Sequence, residues 1–466
     1  MSRLSGLAQR TPLLRGLPRE VGVLAAIAFC VALGFGIVAP ALPVFARTFG
    51  VSAFLAGAVV SAFAFVRLIA SPGAGALVNR IGERRVLASG LAIVAASSFA
   101  AAFAQTYTQL IIMRALGGFG SAMFTVSAMA LLLRTAGPEQ RGRASGAFQA
   151  GFLFGGVAGP AVGGLVVGIS IRAPFIVYAV TLAAATAVCL IMLRDPAPHT
   201  DADIRRAEGT AGFPAGGLSA DDLDAGASTA ADPPREDGEI PGLTDPAEDS
   251  TYRDRPTGVH VDSEPLGALP LSEALRNRAY WAALATNLGN GFSIFGLRSA
   301  LVPLFVVEGL RQGAGVAGVG FLVAAATQAL LLLPGGRMAD NRGRRPAMII
   351  GGVASVAGML LLAVSSQVWV FLVAMAVFGM AGAFLGPAPS AVVGDVTQGR
   401  PGGTVVAVFQ MVSDFGAIIG PLAAGFVLDR AGFGAAFLVG AVIVGLGLVA
   451  SLMMPETLKK PSPVEG

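Results

Sequence analysis

Charge is in short supply in this chain of 466 residues. Asp, Glu, Lys and Arg make up 13% of it, whereas a soluble domain carries roughly 25%. Lysine is nearly absent, with Lys459 and Lys460 the sole examples. The formal net charge of +4 comes from arginines gathered in alternate connections, so it is not a nucleic-acid signal. Cysteine is scarce as well. Cys30 and Cys189 both lie inside apolar runs, which reads as packing and excludes a disulfide framework. The two histidines, His199 and His260, sit in a polar stretch. No His/Cys/acid cluster therefore has metal-ligand spacing, and no Ser/His/Asp set can be assembled. The expectation is a non-enzyme with no catalytic residue, no cofactor and no bound metal.

What the chain has instead is apolar length. Hydrophobic residues make up 54% of it, and twelve segments are long and apolar enough to cross a bilayer. In the first half they run roughly 22–46, 53–75, 86–104, 109–133, 145–169 and 173–193. In the second they run roughly 279–304, 315–335, 346–364, 369–392, 404–428 and 433–454. The basic start followed by the first run is too long for a signal peptide and reads as a retained first helix. The connections alternate in charge. One side collects Arg3, Arg10, Arg15 and Arg19, then Arg80, Arg84 and Arg85, then Arg134, Arg141 and Arg143, and continues through Arg337, Arg342, Arg344, Arg345 and Arg400 to the two lysines. The other side has Arg47, Arg172, Arg311 and Arg430. The positive-inside rule then puts both termini in the cytoplasm of a multi-pass protein of the cell membrane.

Residues 195–276 break the pattern. They are rich in Asp, Glu, Gly and Pro, with runs such as Asp221-Asp-Leu-Asp224, and cannot bury enough apolar surface to fold alone. The expected organisation is a cytoplasmic tail at 1–20, a six-helix half at 21–194, a disordered cytoplasmic linker at 195–276, a second six-helix half at 277–455 and a tail at 456–466.

The two halves are copies. Gly155-Gly-Val-Ala-Gly-Pro-Ala-Val-Gly-Gly164 returns as Gly416-Ala-Ile-Ile-Gly-Pro-Leu-Ala-Ala-Gly425, and Gly75-Ala-Leu-Val-Asn-Arg-Ile-Gly-Glu-Arg84 returns as Gly336-Arg-Met-Ala-Asp-Asn-Arg-Gly-Arg-Arg345. Both recurrences have an offset of 261 residues. Two motifs repeating at one offset mean a duplicated chain. Two six-helix halves in the same orientation are parallel repeats about an axis along the membrane normal, with the substrate path between them. In the Gly-Pro segments, small residues permit close helix approach and proline bends the helix. Gly155, Gly159, Pro160, Gly163, Gly164, Gly420 and Pro421 are thus expected at the interface between halves, either limiting leak there or simply packing.

At this point the residues resemble the major facilitator superfamily. Gly75, Leu77, Arg80, Gly82 and Arg84 match that family's loop pattern between its second and third helices, with Asn79 where the family has Asp; the second copy keeps the acid as Asp340, beside Gly336, Gly343 and Arg344. Leu110, Arg114, Gly117, Gly118 and Gly120 match the fourth-helix pattern, and Gly155 to Gly164 the fifth-helix pattern that marks antiporters. Pro40-Ala-Leu-Pro43 is similar to the first-helix end of the twelve-helix drug/proton antiporters, and Pro455-Glu-Thr457 to a frequent ending of the superfamily. The resemblance implies an all-α integral membrane fold of twelve helices and proton-coupled efflux of small amphipathic molecules or drugs; the alternative is a uniporter, symporter or exporter for one metabolite. The implied partners are a small-molecule substrate, protons and the bilayer, with the protein a monomer and no nucleic acid involved. In the loops, Asp340 is expected to meet a helix N-terminus of the opposite half, where the dipole favours negative charge, and to latch the cytoplasmic side more firmly than Asn79. The alternative is that these arginines only fix topology.

Ionisable groups inside spans are expensive and hence candidates for function. Asp414 is the acid placed deep in a segment and Arg67 the deep base, while Arg114 and Arg298 lie within segments nearer the outer side. Arg67 and Asp414 each lie 14 residues from the outer ends of their segments, at 53 and 428, or roughly 21 Å down. The resemblance makes those two segments face each other, so the charges are expected to pair and to couple movement to a proton. Arg114 matches the family arginine linked to proton transfer, or else caps carbonyls. Arg298 is a candidate substrate contact without motif support. Asn287, Asn290, Gln149, Gln328 and Gln410 either line a cavity or hydrogen-bond between helices.

Overall fold

The computed structural model of the protein describes residues 16–136, 140–193, 269–397, 400 and 403–458. Every described segment of regular structure is helical. We number the long helices α1 (Arg19–Arg47), α2 (Ala53–Ile81), α3 (Glu83–Ala102), α4 (Tyr107–Thr135), α5 (Arg141–Ile169), α6 (Ala173–Met192), α7 (Arg278–Gly309), α8 (Ala314–Asn341), α9 (Arg344–Ala363), α10 (Val368–Thr397) and α11 (Gly403–Met453). Among the described residues, 10 helices are long and apolar enough to cross a membrane. The twelve expected segments differ from that number at two places. The 51-residue α11 contains a non-helical residue, Gly432 (φ 82°, ψ 176°), so it is two arms joined at a corner that falls between the eleventh and twelfth segments. The 29-residue α5 carries the Gly-Pro motif and is not among the 10.

Local chemistry sets the boundaries. Gly82 and Gly343 have φ of 87° and 125°, conformations that glycine adopts freely, and they turn α2 into α3 and α8 into α9. Pro40 breaks α1 and Pro18 precedes its first turn. α7 is irregular: Gly291–Arg298 and Phe305–Gly309 are π-helical, flanking a short α segment with Pro303 inside.

One buried core runs from Val21 to Leu193 and takes in Leu304 of α7; a second gathers Leu269 to Met454 and a third Phe292 to Ala441. The first half and the second half meet along two seams, α2 with α11 and α5 with α8. The linker expectation over 195–276 lies mostly outside the described residues. Its end is packed structure: Leu269 and Ala274 are buried, Leu271–Ala274 forms a helical turn, and Glu273 accepts from Arg400 at 3.0 Å. The acidic composition of the stretch before them hides apolar Leu269 and Ala274 from a reading by average composition.

The glycine-proline motif does not face where the sequence puts it. A Cβ on Gly159 would stand 2.5 Å from the Leu33 carbonyl oxygen and 2.8 Å from the Gly36 Cα, and one on Gly163 would stand 2.5 Å from the Ile37 oxygen. Gly155 presses on Phe29 and Leu33 in the same way. These glycines pack α5 on α1 within its own half, while α5 offers another side to α8. Gly420 repeats the arrangement in the second half, with its Cβ position 2.8 Å from the Gly296 Cα. Pro421 and Gly425 do cross between halves, against Gly57 and Ala53 of α2. The surroundings of Gly164 lie outside the described residues. The physical reason is spacing. Glycines every four residues make one stripe, and a stripe serves one neighbour.

Candidate functional site: the seam between the halves

The helix ends alternate between two faces. One carries residues 80–85, 134, 337–345 and 454–458, and we call it the basic face. From the opposite face inward, a ladder of polar contacts joins the halves. Arg47 donates from Nε to Glu308 at 2.7 Å and from Nη2 at 3.0 Å, a two-pronged ion pair. Next, the Asp429 carboxylate accepts from the backbone N–H of Ala53 and of Phe54, both at 2.9 Å. Those are unpaired donors of the first turn of α2, where the helix dipole favours an anion, and Ser52 takes the N–H of Leu55. About two turns deeper, Ser61 Oγ donates to the Ile418 carbonyl at 2.7 Å. At the bottom, Arg67 Nη2 donates to Asp414 Oδ1 at 2.5 Å. Arg67 and Asp414 thus meet as expected, with side-chain exposures of 32% and 20%. The exposure leaves the pair accessible rather than sealed.

Arg114 is 2% exposed. Its guanidinium carbon lies 4.5 Å from the centroid of Phe63, a cation–π contact, and its Nε has no hydrogen-bond partner among the described residues. With Phe35, Val38, Ala39, Leu42 and Val60 it lines a small pocket that Ser299 of α7 completes from the other half. Arg298, the last residue of the first π segment, is half-buried and makes no described ion pair or hydrogen bond.

The polar residues divide. Asn287 Nδ2 donates to the Phe409 carbonyl at 2.7 Å and Asn290 Nδ2 to that of Leu385 at 3.3 Å, so both tie helices of the second half together. Gln328 packs its amide against Gly382. Gln149 and Gln410, which share the repeat offset, are exposed and make no described hydrogen bond.

The loop motifs correct an expectation. Asp340 does not reach the opposite half: it is 70% exposed and pairs with Arg344, one turn on, at 2.5 Å. Arg344 Nε also reaches Asp395 at 3.3 Å. Glu456 of the chain ending accepts from the N–H groups of Arg344 and Arg345 at 2.8 and 3.1 Å, capping α9. Gly343 lies beneath that carboxylate, whereas Gly75 and Gly336 have open space beside them. In the first half Asn79 and Arg80 are exposed, Arg84 donates to the Leu190 carbonyl at 2.6 Å, and Arg134 pairs with Glu83 at 3.0 Å. An acid does meet a helix N-terminus of the other half, but it is Asp429, on the opposite face. In sequence, Asp429, Arg47 and Glu308 read only as loop and helix-end charges. Residues 47 and 308 are separated by the repeat offset of 261 and carry opposite charge, and that is the signal that marks them.

An all-helical bundle of two similar halves, joined by a charged seam and carrying buried bases between them, defines a membrane transporter. The sequence profile of the Major Facilitator Superfamily matches residues 24–327 and again 290–466. The chain belongs to that superfamily. It is 27% identical over 190 residues, 41% of its length, to the quinolone resistance protein NorA of Staphylococcus aureus. It is 30% identical over 168 residues, 36% of its length, to multidrug resistance protein 1 of Bacillus subtilis. The chain spans 49% and 43% of the lengths of those two curated relatives. Among solved structures, a bacterial homologue of the human lysosomal transporter Spinster, inward-facing and unoccupied, superposes with a TM-score of 0.66 at 14% identity, covering 95% of this chain and 98% of that one. The nucleoside transporter NupG superposes with a TM-score of 0.62 at 15% identity, covering 93% and 98%. At these identities the two structures speak for the fold.

Proposed function

We propose that the protein is a proton-coupled exporter of small amphipathic molecules, drugs among them. It works as a monomer by alternating access in the cell membrane, with the basic face and both termini in the cytoplasm. The observation that carries this reading is the Arg67–Asp414 pair, a carboxylate held deep in the span across the seam that must open. While the halves are tied on the far side, the guanidinium occupies the carboxylate. When α2 and α11 part, Asp414 loses its partner and is left open to a proton that enters from outside. When the halves close again, Arg67 displaces the proton toward the cytoplasm. Substrate leaves in the outward-open state and protons return with the gradient. The basic face supports the orientation through the positive-inside rule. The names of the two resistance proteins support drugs as substrates.

The test is reconstitution into liposomes with an imposed pH gradient, screened over dyes, drugs and metabolites. Gradient-dependent movement of a compound, abolished by a protonophore, is the expected result. Movement that ignores the pH gradient for every transported compound overturns proton coupling.

A further inference from the structure

The membrane interior of this protein holds three guanidiniums, Arg67, Arg114 and Arg298, and one carboxylate, Asp414, among the described residues. Arg67 takes the carboxylate. Arg114 and Arg298 are left without an anionic partner among the described residues. Resting on the reading of the chain as a small-molecule exporter, we infer that the site between the halves is built for an anionic amphiphile, whose carboxylate, sulfonate or phosphate group supplies the missing counter-charge at Arg114 when the halves move apart and the pocket, about 10 Å³ in this arrangement, opens.

The argument is one of charge balance. A cation 2% exposed among Phe35, Val38, Leu42 and Val60 has given up its hydration. The Phe63 ring, 4.5 Å away, returns part of that, and Phe35 backs it with ring centroids 5.9 Å apart. Nε finds no acceptor. A guanidinium in that position has a strong preference for an oxyanion, which it can hold through two parallel hydrogen bonds. The pocket is also placed for transport. α1, α2 and α4 contribute five apolar walls and the arginine, and α7 of the other half contributes Ser299, the neighbour of Arg298. A ligand seated there touches both halves, so its arrival and departure act on their relative position. A cationic amphiphile would add to an existing excess of positive charge.

The test uses three probes with one apolar body: 2-naphthylacetate, its neutral amide, and 2-naphthylethylamine. Binding to the purified full-length protein in detergent micelles at neutral pH is measured calorimetrically, with no gradient involved. The carboxylate is expected to bind at least about tenfold more tightly than the amide, and the amine more weakly than either. Arg114→Gln should remove the advantage of the carboxylate and leave the amide affinity in place, while Arg114→Lys should restore part of it. Equal affinity for the three probes, preference for the amine, or no binding by any of them overturns the inference. The unmodified protein by itself separates these outcomes, so a poorly folded variant does not blunt the test. Because no gradient is used, an anion preference stands even if liposome assays find no proton coupling, and a coupled transporter that prefers the amine sinks the inference alone.

Discussion

Add 261 to a residue of the first half and its counterpart in the second appears, so the two seams can be compared position by position. On the α2–α11 seam stand Asp429, Asp414, Arg67 and Ser61. At the corresponding places on the α5–α8 seam stand Gly168, Leu153, Gln328 and Leu322. The N-terminus of α2 is capped by Ser52 and by Asp429 from across the seam; that of α8 begins after Gly313 with no side-chain cap. Among the described residues beyond Arg143, no hydrogen bond joins α5 to α8. The duplication laid down two equivalent frames, and charge was then placed in one of them. A seam whose contacts are ionic can respond to a proton. A seam of apolar side chains can slide at little cost and gives no such response. The glycine packing at Gly159 and Gly420 is where the halves remain alike, since it serves the inside of each half, whereas Pro421 and Gly425 also touch α2 across the seam.

The largest effect should come from the charge that makes the seams differ. Asp414→Asn keeps the shape and a hydrogen bond to Arg67 but cannot carry a proton at ordinary pH. pH-gradient-driven transport in liposomes should fall to background, while substrate exchange without a gradient persists. Undiminished gradient-driven transport by this variant would remove the functional distinction between the seams.

A second prediction tests the part the halves share. Gly159→Val and Gly420→Val each drive a branched side chain into facing backbone, near Leu33 and Gly36 or near Phe292 and Gly296. Each should destabilise by at least about 1–3 kcal/mol, and by similar amounts, seen as a lower midpoint in a thermal unfolding assay in detergent. Gly156→Ala, beside which there is open space, should leave the midpoint unchanged. A large gap between the two valine variants would show that the repeat packing is not equivalent.

The helices, the duplication and the Arg67–Asp414 depth match are legible in the sequence because each rests on a one-dimensional count: apolar length, a constant offset, residues from an end. Rotation about a helix axis leaves no such trace. That is why the stripe Gly155, Gly159 and Gly163 points in sequence to the wrong neighbour, and why Asn287 and Asn290 stay open there between cavity and helix tie. The loop latch fails differently. The dipole argument is sound, but Asp340 has a nearer partner in Arg344, four residues on. The same physics operates at Asp429, which in sequence resembles any other acid at a helix end.

Asp429 gives the third prediction, of intermediate size. Asp429→Asn retains one acceptor for the first turn of α2 and loses the charge, so the tied arrangement should weaken by about 1 kcal/mol, roughly a fivefold shift in the balance of states. Distances between spin labels at the far ends of α2 and α11 read it as a larger separated population. Gly168→Asp asks whether the other seam accepts the device: a carboxylate there can cap α8, and it should enlarge the tied population. No change in either distribution would mean that the cap is decoration and not a latch.

The smallest effect belongs to a pair of ion pairs on the basic face. Glu83 on α3 pairs with Arg134 on α4 at 3.0 Å; the repeat offset carries them onto Arg344 on α9 and Asp395 on α10, which pair at 3.3 Å. The bridge survives duplication with its polarity reversed, so what matters at this position is that opposite charges meet, not which helix carries which. The partners differ beyond the pair. Arg344 is also held by Asp340, whereas Asn79, across the Gly82 turn from Glu83, is neutral. An acid at 79 would stand near Glu83 across the Gly82 turn, as Asp340 stands near Arg344 across Gly343, and like charges there repel, so the asparagine is consistent with the reversed pair beside it. Glu83→Arg and Arg134→Asp should each lower stability by about 0.3–1 kcal/mol, as expected for partly exposed pairs. The double substitution should recover most of that, and adding Asn79→Asp to the double should then stabilise further, reproducing the second-half trio in the first half. A double-mutant cycle on thermal midpoints measures the coupling. Strictly additive losses would show that Glu83 and Arg134 act through separate partners and that the reversal between halves is accidental.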